Sequence, residues 1–261
     1  MLSLRALLPP SVKRWLKILM RPSAVAVLPG HVSYESDGLA TIHSADFQDD
    51  ARFRKAYESG LRTGSWADVS WRAHVVAWAA QSASGLEGDF IECGVNRGGY
   101  SRLIVDYVGL AGQQRKFYLL DTFCGLVPGL VSPDEVERGI LDAYAYEDCY
   151  DAVKATFADC PNVVLIRGTV PDTLSEVRSE RIAFLSIDMN CIEPEIAAAT
   201  AFWDRLVPGG FMVLDDYGHP LHVGQRKAFD KFAADRGVTI LSLPTAQGLI
   251  VKPHGEAARR A

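Results

Sequence analysis

The sequence predicts an open, doubly wound α/β sheet of seven mostly parallel strands, with a helical extension or cap over residues 1–84 and the sheet domain over residues 85–261. Three observations predict it. From residue 88 onward short apolar runs alternate with helical stretches, the pattern of a parallel sheet wound on both faces. The strand-like runs lack polar alternation, as expected when helices cover both sides. The last two runs, VTILSL at 238–243 and GLIVKP at 248–253, are too close for a parallel crossover, which needs about a dozen residues, so they pair antiparallel.

In chain order, residues 11–21 read as an amphipathic helix, with Val12, Trp15, Leu16 and Leu19 on one side and Lys13, Arg14, Lys17 and Arg21 on the other. Two readings compete: peripheral contact with an anionic membrane surface, or packing on its own domain or a second subunit. Packing is favoured because most such helices serve a protein core, and it points to a homodimer. Prolines and scattered basic residues argue against a secretory signal, and no apolar run reaches the roughly 20 residues of a membrane span. Residues 22–45 read as an irregular connector. Two helices follow, over 49–64 and 68–85, each closed by glycine.

The sheet domain then reads strand 89–93, helix 101–111, strand 116–121, helix 146–160, strand 162–168, a short helix 172–179, strand 182–188, helix 193–207, strand 210–216 and helix 224–237 before the final pair. Residues 124–146 have weak periodicity; such a stretch in a compact domain reads as an active-site lid or as disordered, and Tyr144, Tyr146 and Tyr150 would line a lid. Arg97 and Arg138 are candidates for contact with a charged substrate.

The bulk numbers bound the function. A chain of 261 residues suits one large α/β domain with an extension. A formal net charge of -5 gives no electrostatic footprint for nucleic acid. Five cysteines without a CxxC pair read as buried free thiols in a reducing, cytoplasmic setting.

Three signals carry chemistry. In FIECGVNRGGYS at 90–101 a strand ends around Glu92, and Gly94, Gly98 and Gly99 lead into a helix. Glycines there let the backbone turn tightly and approach a ligand at the carboxyl edge of the sheet. The spacing is ExGxxxG, not the GxGxxG of dinucleotide folds. In YLLDTFCGL at 118–126, Asp121 closes the next strand, where a carboxylate can accept from both ribose hydroxyls of a nucleoside. In LSIDMN at 185–190 and MVLDDYGH at 212–219, Asp188, Asp215 and Asp216 close two further strands. Three carboxylates meeting at one sheet edge repel without a cation, and such oxygen ligands suit Mg²⁺ or another hard divalent ion. An ion there would lower the pKa of a bound hydroxyl and orient it.

The segments GDFIECGVNRGG, LLDTFCGL, LSIDMNCIEPE and PGGFMVLDDY resemble those of the TylF-type (macrocin) O-methyltransferases, over about residues 85–253. The resemblance implies a class I methyltransferase that uses S-adenosylmethionine and Mg²⁺ to methylate a hydroxyl of a sugar or other natural-product small molecule. It implies metal ligands at Asp188, Asp215 and Asp216, and cofactor contacts at Glu92, Gly94, Asp121, Thr122 and Phe123, with Gly168 and Thr169 near the adenine. One position departs. The family often reads D-G-D where this chain has Asp188-Met189-Asn190, and the second acid has been assigned as the general base. Asn190 cannot take a proton at neutral pH. The base is then elsewhere, or metal activation suffices, or the acceptor is already acidic. Asp188 and His219 are the candidates carried forward, with His222 beside them. Three rivals stay open: a catechol-type O-methyltransferase, an NAD-dependent oxidoreductase, and a non-catalytic S-adenosylmethionine-binding protein.

Overall fold

The computed structural model describes residues 30–66 and 69–255; the expected helix at 11–21 lies outside them. A small hairpin comes first, β1 (Tyr34–Ser36) and β2 (Leu39–Thr41), paired antiparallel. It falls within the stretch 22–45 expected as an irregular connector, of which residues 30–45 are described. Its turn is Asp37-Gly38, both with positive φ (48° and 75°), and Asp-Gly is the residue pair that such two-residue turns favour.

Two helices follow, α1 (Ala51–Leu61) and α2 (Ser70–Ala83). Asp50 starts α1 by accepting from the Phe53 amide at 2.6 Å. Helix α2 is apolar on nearly every side, and eight of its residues are buried, Arg72 among them. It packs against α3 (Gly99–Val108) and the sheet. Phe53, Ala73, Val76 and Ala80 share one core cluster with Phe90, Leu103, Phe117 and Phe184, so the helices ahead of residue 85 are joined to the sheet through a continuous apolar interior.

The sheet contains β3 (Asp89–Cys93), β4 (Phe117–Asp121), β5 (Val163–Arg167), β6 (Ile182–Ile187), β7 (Leu206–Leu214), β8 (Leu241–Ser242) and β9 (Gly248–Val251), in the order β5-β4-β3-β6-β7-β9-β8. The pairs β3–β4, β4–β5, β3–β6 and β6–β7 are parallel; β9 is antiparallel to both neighbours. This is the predicted doubly wound sheet with one reversed strand. A second apolar cluster fills the opposite face with Ile91, Leu120, Leu185, Phe202, Met212 and Phe229. The chain runs outward from β3 to β5, then restarts on the other side at β6. That reversal leaves a crevice at the carboxyl ends of β3 and β6, where α/β folds bind ligands.

Several element boundaries differ from the sequence reading. The stretch at 146–160 forms only α6 (Tyr150–Thr156), and 172–179 forms a 3₁₀ turn at Asp172–Glu176. The lid is folded, with α4 (Pro133–Glu137) and α5 (Ile140–Ala143). Ser132 and Glu135 make a reciprocal capping box at the start of α4. Helix α7 (Ile192–Trp203) ends four residues earlier than expected, and α8 (Val223–Asp235) precedes the final strands. No helix among the described residues is long and apolar enough to cross a membrane. The five cysteines are free thiols; four are buried, and Cys124, expected to be buried, is exposed because it sits on the turn after β4.

Candidate active site

A cavity of about 450 Å³ opens at this crevice, within the range of small-molecule sites. The sequence-predicted residues Gly94, Asp121, Thr122, Gly168, Thr169, Asp188, Asp215, Asp216 and His219 all line it. Glu92 and Phe123 do not; both are buried behind it. The lid contributes Tyr144 and Tyr146, and the N-terminal helical region contributes Trp66 and Arg72.

At the β3–β4 end, Gly94 has φ 89°, and a Cβ there would stand 1.9 Å from the Asp188 carbonyl oxygen. Glycine is required first by this contact between the two loops, in addition to any ligand. Glu92 is 1% exposed and accepts from the Ser101 hydroxyl. Burial pushes its carboxyl up to about 8, although the Ser101 hydrogen bond opposes this. Asp121 is saturated. Its Oδ2 accepts from the amides of Val95 (2.5 Å) and Asn96 (2.8 Å), and its Oδ1 from the Phe123 amide (2.7 Å) and the Tyr146 hydroxyl (3.0 Å). The lid tyrosine thus holds an acceptor that a ribose hydroxyl would also use.

At the β6–β7 end, Asp188, Asp215 and Asp216 bring carboxylate oxygens within 4.8 Å of one another. A buried guanidinium lies among them. Arg72 Nη1 donates to Asp215 Oδ2 at 2.8 Å and to Asp216 Oδ1 at 3.1 Å, while Nε and Nη2 donate to the two oxygens of Asp37 at 2.6 and 3.3 Å. Gln247 donates to the remaining oxygen of Asp215 at 2.8 Å. Burial works against the Arg72 charge, but Asp215 and Asp37 outweigh it and raise its pKa further. Burial, then the charges of Asp215 and Asp216, hold the Asp188 carboxyl well above the usual range. One guanidinium therefore leaves the cluster short of positive charge. The donor set, three convergent carboxylates with negative charge to spare, fits a hard divalent cation.

Asn190 sits at φ 60°, a left-handed conformation that asparagine tolerates, and its Nδ2 donates to Asp188 Oδ1 at 3.3 Å. The loop carrying both residues is pinned by Glu195, whose Oε1 accepts from the amides of Met189 (3.0 Å) and Asn190 (2.9 Å). Burial raises the Glu195 carboxyl to about 8. Glu135 of the lid accepts from the Ile192 amide at 2.9 Å, tying lid to loop. Of the two histidines, His219 reaches the cavity wall, whereas His222 is 2% exposed, with Nε2 2.7 Å from the Tyr144 hydroxyl and 3.4 Å from Asp216 Oδ2. Asp216, His219 and His222 form a second trio with ligand atoms in reach of one another. Arg97 and Arg138 are not in the wall of the cavity.

Sequence reasoning missed Arg72, Asp37, Glu195 and Gln247. An Asp-Gly pair ahead of a short apolar run signalled the hairpin, and a single arginine in the first turn of an otherwise largely apolar helix signalled a buried ion pair. Nothing local marks Gln247, whose role arises only when β9 pairs with β7.

The sheet order, with its reversed strand β9, and the glycine loop facing Asp121 define a class I methyltransferase fold of the S-adenosylmethionine-dependent kind. A family model narrows this: the chain belongs to the macrocin O-methyltransferase (TylF) family, whose model matches residues 74–242. The chain is 28% identical over 149 residues, 52% of its own length and 58% of the other, to a mycinamicin III 3''-O-methyltransferase of Micromonospora griseorubida. It is 30% identical over 148 residues, 52% and 55% of the two lengths, to an 8-demethyl-8-(2,3-dimethoxy-alpha-L-rhamnosyl)-tetracenomycin-C 4'-O-methyltransferase of Streptomyces olivaceus. It thus spans little more than half the length of these curated relatives. Among solved structures, CalS11, a calicheamicin methyltransferase, superposes with a TM-score of 0.60 at 17% identity, covering 88% of this chain and 100% of that one, a likeness of fold.

Proposed function

We propose that this chain transfers the methyl group of S-adenosylmethionine to a hydroxyl of a sugar carried by a natural product, assisted by Mg²⁺ or a similar ion. The observation that carries the reading is the convergence of Asp188, Asp215 and Asp216 on the same cavity that Asp121 and Gly94 line. Relatives named for methylating sugar positions of mycinamicin and tetracenomycin compounds support the acceptor class.

In this reading Asp121 and Thr122 would hold the ribose, Gly168 and Thr169 would lie near the adenine, and Gly94 would keep the loop low enough for the methionine half. Phe123 acts from behind the wall by presenting its amide to Asp121. Glu92, sealed from the cavity, acts from beneath the loop. A divalent ion held by the three aspartates would lower the pKa of an acceptor hydroxyl and fix its direction. The acceptor's proton would leave to an oxygen of Asp188 that the ion does not engage, or to His219 on the cavity wall. S-adenosylmethionine, when bound, would supply the methyl group, which the acceptor oxygen would take as the carbon–sulfur bond breaks, leaving S-adenosylhomocysteine. The folded lid, tied down through Glu135, Tyr144 and Tyr146, excludes water during transfer.

The test is methyl transfer from labelled S-adenosylmethionine to a panel of glycosylated macrolides and aromatic polyketides, with simple catechols alongside, in Mg²⁺ and in EDTA. The expected result is Mg²⁺-dependent labelling of a sugar hydroxyl. Preference for catechols, or equal turnover in EDTA, would overturn the acceptor or the metal part respectively.

A further inference from the structure

We propose that Arg72 is a tethered cation that competes with a divalent ion for Asp215 and Asp216, with Asp37 as the alternative seat that receives it. This rests on the divalent-ion reading of the aspartate cluster and concerns what regulates that site.

Asp215 offers Oδ1 to Gln247 and Oδ2 to Arg72, and Asp216 offers Oδ1 to the same Nη1 of Arg72. A single guanidinium nitrogen therefore bridges the two neighbouring carboxylates. Asp188, across the cluster, receives no hydrogen bond from Arg72 and only the long one from Asn190. The arginine covers two of the three ligands and leaves the third exposed to its neighbours' charge. A divalent ion drawing on all three must face the oxygens that Nη1 now faces, and two cations at one pair of oxygens repel.

Asp37 holds the other side of the same guanidinium. It grips Nε and Nη2 with both oxygens, in the fork geometry that arginine and carboxylate prefer. Its backbone is set by the Asp37-Gly38 turn of the hairpin, and the guanidinium comes from a buried helix, so neither partner has far to wander. When Nη1 gives up Asp215 and Asp216, the charge of Arg72 stays paired in a site that is only 8% exposed. A buried guanidinium with no second partner would resist that release strongly. Arg72 thus stands in for the ion in its absence, and the hairpin allows it to yield.

A purely structural arginine, stitching α2 to the sheet, would affect folding but not metal affinity with opposite signs in two variants. Titration with Mn²⁺, followed by electron paramagnetic resonance of the free ion, separates the two cases without any activity measurement. Arg72→Met is expected to bind Mn²⁺ more tightly than the parent, within the roughly 5- to 150-fold span of ordinary site couplings, and Asp37→Asn more weakly, because Arg72 is then left to the aspartates alone. The melting temperature of the parent should rise less from EDTA to Mn²⁺ than that of Arg72→Met, which should start lower in EDTA and gain more from the ion. Unchanged or weaker Mn²⁺ binding by Arg72→Met would overturn the proposal. Should that variant not fold even with Mn²⁺ present, Asp37→Asn decides: weaker binding supports the competition, and equal or tighter binding overturns it. If parent and variants bind Mn²⁺ equally, the competition fails while the metal reading stands; if none binds it, the metal reading fails and takes the competition with it.

Discussion

The two ends of the cavity solve the same problem in different ways. Each must hold a largely enclosed carboxylate in readiness for a ligand. At the β3–β4 end Asp121 is satisfied by three backbone amides and the hydroxyls of Thr122 and the lid's Tyr146, all neutral donors. At the β6–β7 end Asp215 and Asp216 are satisfied by a full positive charge, Arg72, which is itself shared with Asp37. Neutral donors suit a site whose ligand brings hydroxyl groups, because hydroxyls replace hydroxyls with little change in charge. A guanidinium suits a site whose ligand brings charge, because a cluster of three acids cannot be stabilised by amides alone. The kind of placeholder at each end reports the kind of ligand expected there.

That contrast can be broken from either side. The largest effect is expected at the charged end. Asp215→Asn should lower methyl transfer by at least about 100-fold while S-adenosylmethionine binding, followed by calorimetry, stays close to that of the parent. Loss of cofactor binding in parallel would mean the two ends are not separate. Next, Asp121→Asn removes a charged acceptor of ribose hydrogen bonds and should weaken cofactor binding by about 10- to 100-fold, leaving Mn²⁺ binding unchanged. A smaller effect follows from Glu92, which lies beneath both ends. Its carboxyl is raised to about 8 from an ordinary 4.5, so between those values the folded protein binds a proton that the unfolded chain does not. Stability should therefore fall as pH rises through that window, by up to about 1.4 kcal/mol per pH unit for this group. Glu195 adds to the same slope. Denaturant unfolding of Glu92→Gln at pH 5 and pH 8 should show a flatter slope than the parent, and an unchanged slope would mean Glu92 is ionised throughout. The smallest effect belongs to the placeholder at the neutral end. Tyr146→Phe removes one neutral hydrogen bond from Asp121 and should tighten cofactor binding by about 3- to 10-fold, with weaker binding showing instead that the hydroxyl supports the cofactor.

The same contrast explains what could be read in the sequence. The neutral end is local: Gly94 and Asp121 sit at strand ends flanked by apolar runs, and strand, glycine turn and helix follow each other within a dozen residues. The three aspartates were legible for the same reason, since each closes an apolar run that could only be a buried strand. Arg72 and Asp37 lie more than a hundred residues from Asp215, on a helix and a turn with no motif of their own, and only tertiary packing brings them in. Asn190 is a further case. Its residue type denied the chain a familiar proton acceptor, while its left-handed backbone and its bond to Asp188 became visible only in the folded loop. The lid shows only weak periodicity in sequence because its helices are about one turn long, although Ser132 and Glu135 carry a capping signal in plain order.

The central claim is that the aspartates closing β6 and β7 hold one divalent ion beside the cofactor. Crystals grown with S-adenosylhomocysteine and soaked in Mn²⁺, measured at the manganese absorption edge, test it most directly. The account predicts one anomalous peak ligated by Asp188, Asp215 and Asp216, with Arg72 turned toward Asp37. A peak ligated instead by Asp216, His219 and His222, or no peak at the cavity, would contradict it.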